Sequence, residues 1–147
     1  MMETKQRGGV FQRSLSIQTT GQGLHNISRD IESLVNESGV EAGLCNVFVQ
    51  HTSCSLVIQE NADPTARVDL ENWINRLAPE DDPLYTHTIE GSDDMPAHLK
   101  AAITKTSEQI PVIDGALGLG TWQGLYLWEH RHRSHARKLV VTILTRA

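Results

Sequence analysis

One segment, residues 49–69, holds a high density of reactive side chains around a strand-forming run. His51 is followed at once by three hydroxyls and a thiol, and the carboxylates of Glu60 and Asp69 come later. Polar groups inside a buried strand are costly unless they are hydrogen-bonded or bind something. A binding or catalytic site is therefore the first hypothesis for this segment.

Three histidines at the ends of predicted elements are the candidate metal ligands. His51, His87 and His98 lie in separate segments, so no compact metal motif joins them. If they converge, their neutral imidazoles suit Zn²⁺ or a similar divalent ion, and three ligands leave a position for water or substrate. For each histidine taken alone, the alternative is a surface or hydrogen-bonded structural role.

Three carboxylates are the candidate catalytic groups, because each could orient a ligand or act as a base. For Glu60, at a strand end, the alternative is a local turn contact. For Asp69 the alternative is a solvated helix face. Glu129 lies in a later apolar strand, where a carboxylate is hard to explain as packing.

Hydroxyls beside the first histidine are candidate substrate contacts. Thr52, Ser53 and Ser55 could meet a phosphate or carboxylate, although hydroxyls in strands more often make cross-strand bonds. Trp122 and Gln123 are further candidates, with a core position as the alternative for the indole. No protease-like motif surrounds the cysteine in this segment, which disfavours nucleophilic catalysis.

A basic tract at residues 130–138 contains three histidines in close sequence. It resembles a metal tract, but we predict an exposed, partly cationic hairpin connection. Its arginines, Arg131, Arg133 and Arg137, could attract a phosphate if the tract lies near the site.

Length, charge and apolar pattern exclude several classes of protein. A chain of 147 residues is one ordinary domain that needs neither a disulfide nor a metal merely to fold. The formal charge of -5, with scattered basic residues, gives no electrostatic footprint for nucleic acid. Apolar runs are too short for a membrane span and the first residues lack a signal segment, so we predict a cytoplasmic protein without nucleic-acid or membrane partners.

The two cysteines, Cys45 and Cys54, lie on neighbouring predicted strands. They lack the paired spacing of a metal motif, and two cysteines make no disulfide framework. We therefore predict buried free thiols.

Apolar periodicity predicts the elements that must position these side chains. Strands are expected at residues 10–19, 43–50 and 53–60, and through much of the last third of the chain. Helices are expected over residues 27–38 with Gly39 ending the helix, from Asp63 to the residue before Pro79, and from Pro96 onward with His98 in the first turn. The buried face of the second helix is predicted to be Ala66, Leu70, Trp73, Ile74 and Leu77.

The order of these elements predicts one α+β domain over residues 10–147, after a flexible N-terminus at residues 1–9. The last two strands, residues 121–130 and 137–145, are expected to be antiparallel neighbours joined by the basic tract.

Four stretches of the chain resemble the YjbQ family, UPF0047, which is also called the secondary thiamine-phosphate synthase family. They are H-T-S-C-S-L-V-I-Q-E-N-A-D-P at 51–64, Y-T-H at 85–87, D-D-M-P-A-H-L at 93–99 and L-G-T-W-Q-G-L-Y-L-W-E at 119–129. The resemblance runs in matching order from about residue 10 to residue 145. It implies a compact α+β domain with antiparallel sheets in a sandwich-like core, about three helices and a homotrimer.

For function, the candidate metal ligands and the hydroxyls beside them favour a metal-assisted enzyme acting on a small phosphorylated metabolite. The resemblance implies a metal or anion site near subunit boundaries. The implied reaction is weak thiamine phosphate synthase activity, a transfer that releases pyrophosphate. The alternative is a non-catalytic homotrimer that binds a metal or a phosphate ligand. The residues that match the family's polar pattern are His51, Glu60, Asp69, His87, His98, Trp122, Gln123 and Glu129.

Two departures from the family pattern bear on the site. Met95 and Pro96 stand where many relatives have an asparagine and small residues, which puts an asparagine ligand in doubt. Residues 130–135 replace a tight acidic-glycine turn, which changes access to the site.

Overall fold

The computed structural model describes residues 4–7 and 9–146. The described chain contains nine strands and three helices. In order they are β1 Thr4–Arg7, β2 Val10–Gln18, β3 Gly23–Asn26, α1 Ser28–Ser38, β4 Gly43–Val49, β5 Cys54–Glu60, α2 Pro64–Leu77, α3 Asp94–Ile103, β6 Ser107–Ile113, β7 Ala116–Leu117, β8 Gln123–Glu129 and β9 Ala136–Leu144.

Two antiparallel sheets enclose the core. The larger has six strands in the order β1-β2-β9-β4-β6-β7, and the smaller has three in the order β3-β8-β5. One buried apolar cluster combines strands of both sheets with the inner face of α1. The predicted α+β class and its sandwich-like core are confirmed.

Period-two alternation explains why the central strands form. In β9, Leu139, Val141 and Ile143 are fully buried, as expected when alternate residues face the core. Burial of each such side chain stabilises the fold by about 1.5–3 kcal/mol before entropy is counted. The strand predictions at 10–19, 43–50 and 53–60 are confirmed.

The helix predictions hold with two corrections. Gly39 ends α1 at a φ of 68°, and the Asp63 carboxylate accepts the backbone N–H of Thr65 at the start of α2, as predicted. The face predicted to be buried on α2 is mostly exposed, because only Ile74 is fully covered and Trp73 is 47% exposed.

Helix α3 begins at Asp94, two residues before the predicted start at Pro96. A proline is tolerated there because backbone N–H groups of the first turn have no helical partner. His98 therefore lies in the second turn of the helix and not in its first, one turn after Asp94 on the same face.

The prediction that the last two strands are neighbours is wrong. Strand β8 pairs with β3 and β5, whereas β9 pairs with β2 and β4 in the other sheet. Residues 130–135 therefore form a crossover between sheets and not a hairpin. Because it crosses the sandwich, this connection is partly buried, beginning with His130.

The predicted flexible segment at residues 1–9 overlaps strand β1, which pairs with β2. Residues 1–3 and 8 lie outside the described part of the chain, as does residue 147 of the predicted domain. No helix among the described residues is long and apolar enough to cross a membrane.

The approach of β4 to β9 leaves no room for a side chain at Gly43. A Cβ there would lie 2.2 Å from the carbonyl oxygen of Leu144, a backbone atom of the paired strand. We expect Gly43→Ala to lower the free energy of unfolding by about 3 kcal/mol in urea denaturation. The control is Gly39→Ala, which has open space but a positive φ and should cost about 1 kcal/mol. Equal losses would contradict this account.

Candidate functional site

The predicted site residues divide between the two ends of the three-stranded sheet. The register of β5 and β8 pairs Cys54 with Glu129 at one end and Glu60 with Gln123 at the other. Six residue steps of extended strand separate the ends, a distance of about 20 Å. One chain therefore cannot bring all of the predicted residues to one ligand.

At the far end, the predicted groups make local contacts. Oε2 of Glu60 accepts the backbone N–H of Ala62, which is the turn contact weighed as its alternative. Oε1 of Gln123 accepts the backbone N–H of Gly120. Trp122 is 65% exposed, so it is not a core residue.

Asp69 lies apart from both groups, on the solvated face of α2. Its side chain makes no hydrogen bond or ion pair with the described residues. Its position fits the alternative of a solvated helix face.

At the near end, His87, Asp94 and His98 form a compact cluster. Their potential ligand atoms all lie within 4.8 Å of one another. Oδ2 of Asp94 is 2.7 Å from Nε2 of His87 and 3.1 Å from Nε2 of His98. The structure thus brings together two of the three predicted histidines and adds a carboxylate.

The hydrogen bonds of His98 determine what its other nitrogen can do. Nδ1 lies 2.9 Å from the backbone carbonyl oxygen of Thr52, which can only accept, so Nδ1 carries a proton. In a neutral ring, Nε2 then has a lone pair that faces the Asp94 carboxylate. Either a proton or a metal cation is needed on Nε2 to make this contact favourable. A backbone carbonyl on the far nitrogen is also the usual partner of a metal-bound histidine.

Asp94 is held in place although it is almost fully buried, at 1% exposed. Its Oδ1 accepts a hydrogen bond of 2.8 Å from Arg131. Burial alone would raise the pKa of the Asp94 carboxyl. The hydrogen bond from His87 and the charges of His98 and Arg131 outweigh burial, so this pKa lies below its usual value. The carboxylate is thus ionised and fixed in position.

His51 is not a member of the cluster. The ring is exposed, and its Nδ1 accepts the backbone N–H of Ser53 at 3.2 Å. Burial, followed by the charge of Arg137, lowers its pKa below the usual value. The carbonyl of the next residue, Thr52, binds His98, so His51 lies beside the cluster, and its lowered pKa favours the neutral imidazole.

A buried ion pair lies behind the cluster. Arg137 and Glu129 are both fully buried and form two hydrogen bonds, Nε to Oε1 at 2.9 Å and Nη2 to Oε2. Thr19 donates to Glu129 at 2.7 Å, and Arg137 donates to Oγ of Ser53 at 3.0 Å. Glu129 and Ser53, predicted as catalytic and substrate-binding groups, are here parts of a structural network.

Ser55, another predicted substrate contact, is also fully buried. Its Oγ is 2.9 Å from Nε2 of His130. Burial, then the charges of Lys100 and Arg137, lowers the pKa of His130 to about 3, so the ring is neutral. This pair lies inside the fold and not at the site surface.

Both cysteines are free and buried, as predicted. Burial raises the pKa of each thiol, Cys45 and Cys54, to about 12. The thiolate is the nucleophile and the metal ligand, so these thiols are poorly suited to either role.

Sequence reasoning missed two site residues, Asp94 and Arg131. The signal for Asp94 was present, because Asp94 and His98 are four apart and share one face of a helix. For Arg131 the sequence indicates a contact with phosphate and not a role in holding Asp94. Its three donor groups instead bind Asp93, Asp94 and the carbonyl of Glu90.

Comparisons with known proteins identify the family over nearly the whole chain. A family model described as UPF0047 protein YjbQ-like matches residues 13–146. A UPF0047 protein of Synechocystis sp. is 55% identical over 132 residues, which are 90% of each chain. The chain belongs to the YjbQ family, UPF0047. The protein YjbQ of Salmonella typhimurium is 40% identical over 134 residues, 90% of this chain and 96% of that one.

Solved structures of similar proteins share the YjbQ fold. A conserved hypothetical protein from Thermus thermophilus has a TM-score of 0.80 at 35% identity, over 89% of this chain and 98% of that one. A YbjQ-like protein of unknown function from Sulfolobus solfataricus has a TM-score of 0.83 at 26% identity, over 98% and 99%. The predicted family and fold are confirmed.

Burial of neutral His130 makes the stability of this YjbQ-family chain depend on pH. Between about pH 3 and pH 6.5 the unfolded chain binds a proton on this ring that the folded chain does not. The free energy of unfolding therefore falls as pH falls, by about 2 kcal/mol from pH 7 to pH 5. We expect His130→Gln to remove that part of the slope in urea denaturation. An unchanged slope would contradict the neutral ring.

The Arg137–Glu129 pair predicts a strong and asymmetric response to mutation. Arg137→Met leaves a buried carboxylate without its cation and should lower the free energy of unfolding by about 3–5 kcal/mol. The double variant Arg137→Met/Glu129→Met removes both charges and should recover at least about half of that loss. Urea denaturation at neutral pH measures both. A double variant less stable than the single would refute this reading.

Proposed function

We propose that this YjbQ-family protein binds a divalent metal ion, Zn²⁺ or a similar ion, through His87, Asp94 and His98. The observation that carries the proposal is the cluster itself, in which His98 donates from Nδ1 to the Thr52 carbonyl and turns Nε2 toward Asp94. Two imidazoles and a carboxylate form a donor set that suits zinc and leaves a coordination position for water or substrate.

His51 has a different role in this proposal from the one its sequence position indicated. Its Nδ1 is occupied by Ser53, so Nε2 is the atom that remains for a ligand. As a neutral imidazole beside the cluster, it is suited to accept a proton from bound water or substrate.

We further propose that the ligand is a small phosphorylated metabolite. A cavity of about 290 Å³ has a mixed lining, and Arg131 links it to Asp94. Its charged and imidazole groups are those of Arg131, Arg133, His132, His135, Glu90 and Asp93, of which Asp93 is already bound by Arg131. Guanidinium groups suit phosphate oxygens. Arg133 is exposed and makes no side-chain hydrogen bond with the described residues, so it is the group best placed to bind phosphate.

The reaction proposed is a transfer of the thiamine phosphate synthase type, in which a pyrimidine diphosphate joins a thiazole phosphate and pyrophosphate leaves. A bound divalent ion would supply charge stabilisation for the departing pyrophosphate. Arg133 would bind its oxygens, while Arg131 holds Asp94 in place. The cytoplasmic location expected from the sequence stays a prediction.

Assembly as a homotrimer is part of the proposal. Leu84 is 84% exposed and Ile89 is 96% exposed, on the loop that carries His87, and Trp73 lies exposed on α2. In the proposed trimer, a neighbouring copy would cover these apolar side chains. A second copy is also the means by which Trp122, about 20 Å away along β8, could stack on a heteroaromatic ligand at the cluster.

The metal site predicts a clear binding result. Purified, tag-free protein should contain about one equivalent of metal by elemental analysis. Titration of Zn²⁺ into metal-free protein should show affinity lowered by at least about 100-fold in both His87→Ala and His98→Ala, because each removes a ligand. His25→Gln, outside the cluster, is the control and should bind as wild type does. Unchanged affinity in both cluster variants would exclude the site.

The second candidate function is a non-catalytic binding protein, which is also compatible with an Asp94 carboxylate already paired with His87 and Arg131. A measurement of turnover separates this candidate from an enzyme. Metal-loaded protein should release pyrophosphate from the two phosphorylated substrates. His87→Ala should abolish release, and Arg133→Met should raise KM more than it lowers kcat. Metal-dependent binding of the substrates without pyrophosphate release would favour the binding protein.

A further inference from the structure

A second polar cavity lies between α2, α3 and the three-stranded sheet. It has a volume of about 80 Å³, and His87, Asp94 and His98 do not line it. Liquid water occupies about 30 Å³ per molecule, so there is room for two or three waters or a ligand of about five non-hydrogen atoms. Its polar lining consists chiefly of Glu71, Asn72, Asn75, Lys100, Trp128 and His130.

Lys100 supplies a buried cation at this cavity. Its side chain is 2% exposed, and Nζ donates to the amide oxygen of Asn75 at 2.6 Å. Among the described residues, no carboxylate oxygen lies within 4.0 Å of Nζ. A buried ammonium has three donors and is costly without a counter-ion. Two of its donors therefore remain for a ligand in the cavity.

Glu71 supplies an anion to the same cavity. Its Oε1 accepts the backbone N–H of Leu24 at 3.0 Å, while Oε2 has no hydrogen-bond partner in the part of the chain that is described. No ion pair within 4.0 Å joins Glu71 to Lys100. Opposite charges thus line one small cavity without a direct ion pair between them, while the Lys100 ammonium interacts at longer range with the carboxylates of Glu80 and Asp93.

Buried neutral groups in the lining also lack protein partners. Within the described residues, neither Nε1 of Trp128 nor Nδ1 of His130 makes a hydrogen bond, although both side chains are almost fully buried. Indole nitrogen is a donor only, whereas a neutral imidazole has one acceptor nitrogen. The lining therefore offers a ligand the indole donor of Trp128 and a ring nitrogen of His130, in addition to the two opposite charges.

We propose that this cavity binds a small zwitterion of about the size of glycine. Its carboxylate would accept hydrogen bonds from Nζ of Lys100 and from the indole of Trp128. Its ammonium would donate to Oε2 of Glu71. Such a ligand satisfies the buried Lys100 ammonium and the partly buried Glu71 carboxylate at once, which an anion or a cation alone does not.

Glycine is the probe for the test, with acetate and methylammonium as single-charge comparisons. We expect glycine to shift the indole NMR signal of Trp128 saturably and to leave those of Trp73 and Trp122 in place. Lys100→Met should weaken glycine binding by at least about tenfold, because a charge-assisted hydrogen bond is lost. Lys105→Met is the control, since Lys105 lies just after α3 and its side chain is exposed.

A second variant keeps the test decisive if Lys100→Met fails to fold. Glu71→Gln retains the acceptor for Leu24 and should weaken glycine binding by at least about tenfold while leaving acetate binding unchanged. His87→Ala should bind glycine as wild type does, which separates this site from the proposed metal site. No shift of Trp128 at tens of millimolar glycine would overturn the proposal and leave a water-filled cavity. Acetate binding as tight as glycine binding would also overturn it.

Discussion

The ion pair of Arg137 and Glu129 is the contact on which the rest of the site depends. Glu129 ends a strand of the small sheet and Arg137 begins a strand of the large one, so their bidentate contact joins the two layers where the chain crosses between them. The same guanidinium binds Ser53, just before β5, and the same carboxylate binds Thr19, just after β2. A buried ion pair that is shielded from water stabilises the fold only while all of its hydrogen-bond partners stay in place.

That network also positions the chemistry. Ser53 is fixed by Arg137 and in turn holds the ring of His51 through its backbone N–H. The intervening carbonyl of Thr52 sets the orientation of His98. The buried contact between Arg137 and Glu129 therefore supports the imidazoles of His51 and His98. Their orientation depends on how the two sheets are joined.

Much of the fold could be predicted because local patterns determine it. Alternation in β2, β4 and β5, the Asp63 cap and the Gly39 stop all depend on neighbouring residues. The placement of β8 and β9 in different sheets could not be predicted, because strand pairing depends on long-range contacts and the periodicity of the sequence carries no information about them. Among site residues, His87 and His98 are candidates from the sequence, but periodicity does not show whether they converge, and the structure brings them together with Asp94. Asp94 was missed because the helix was expected to start after it.

The loop that carries His87 would link metal binding to assembly in the proposed homotrimer. Leu84 and Ile89 lie uncovered on either side of that histidine, so any surface that covers them also restricts the position of its ring. In the proposed metal-binding homotrimer, metal binding and burial of this loop would share one conformational equilibrium, and each would change the affinity of the other by the same factor. The protein's affinity for metal would accordingly vary with its own concentration, a property that no single chain possesses.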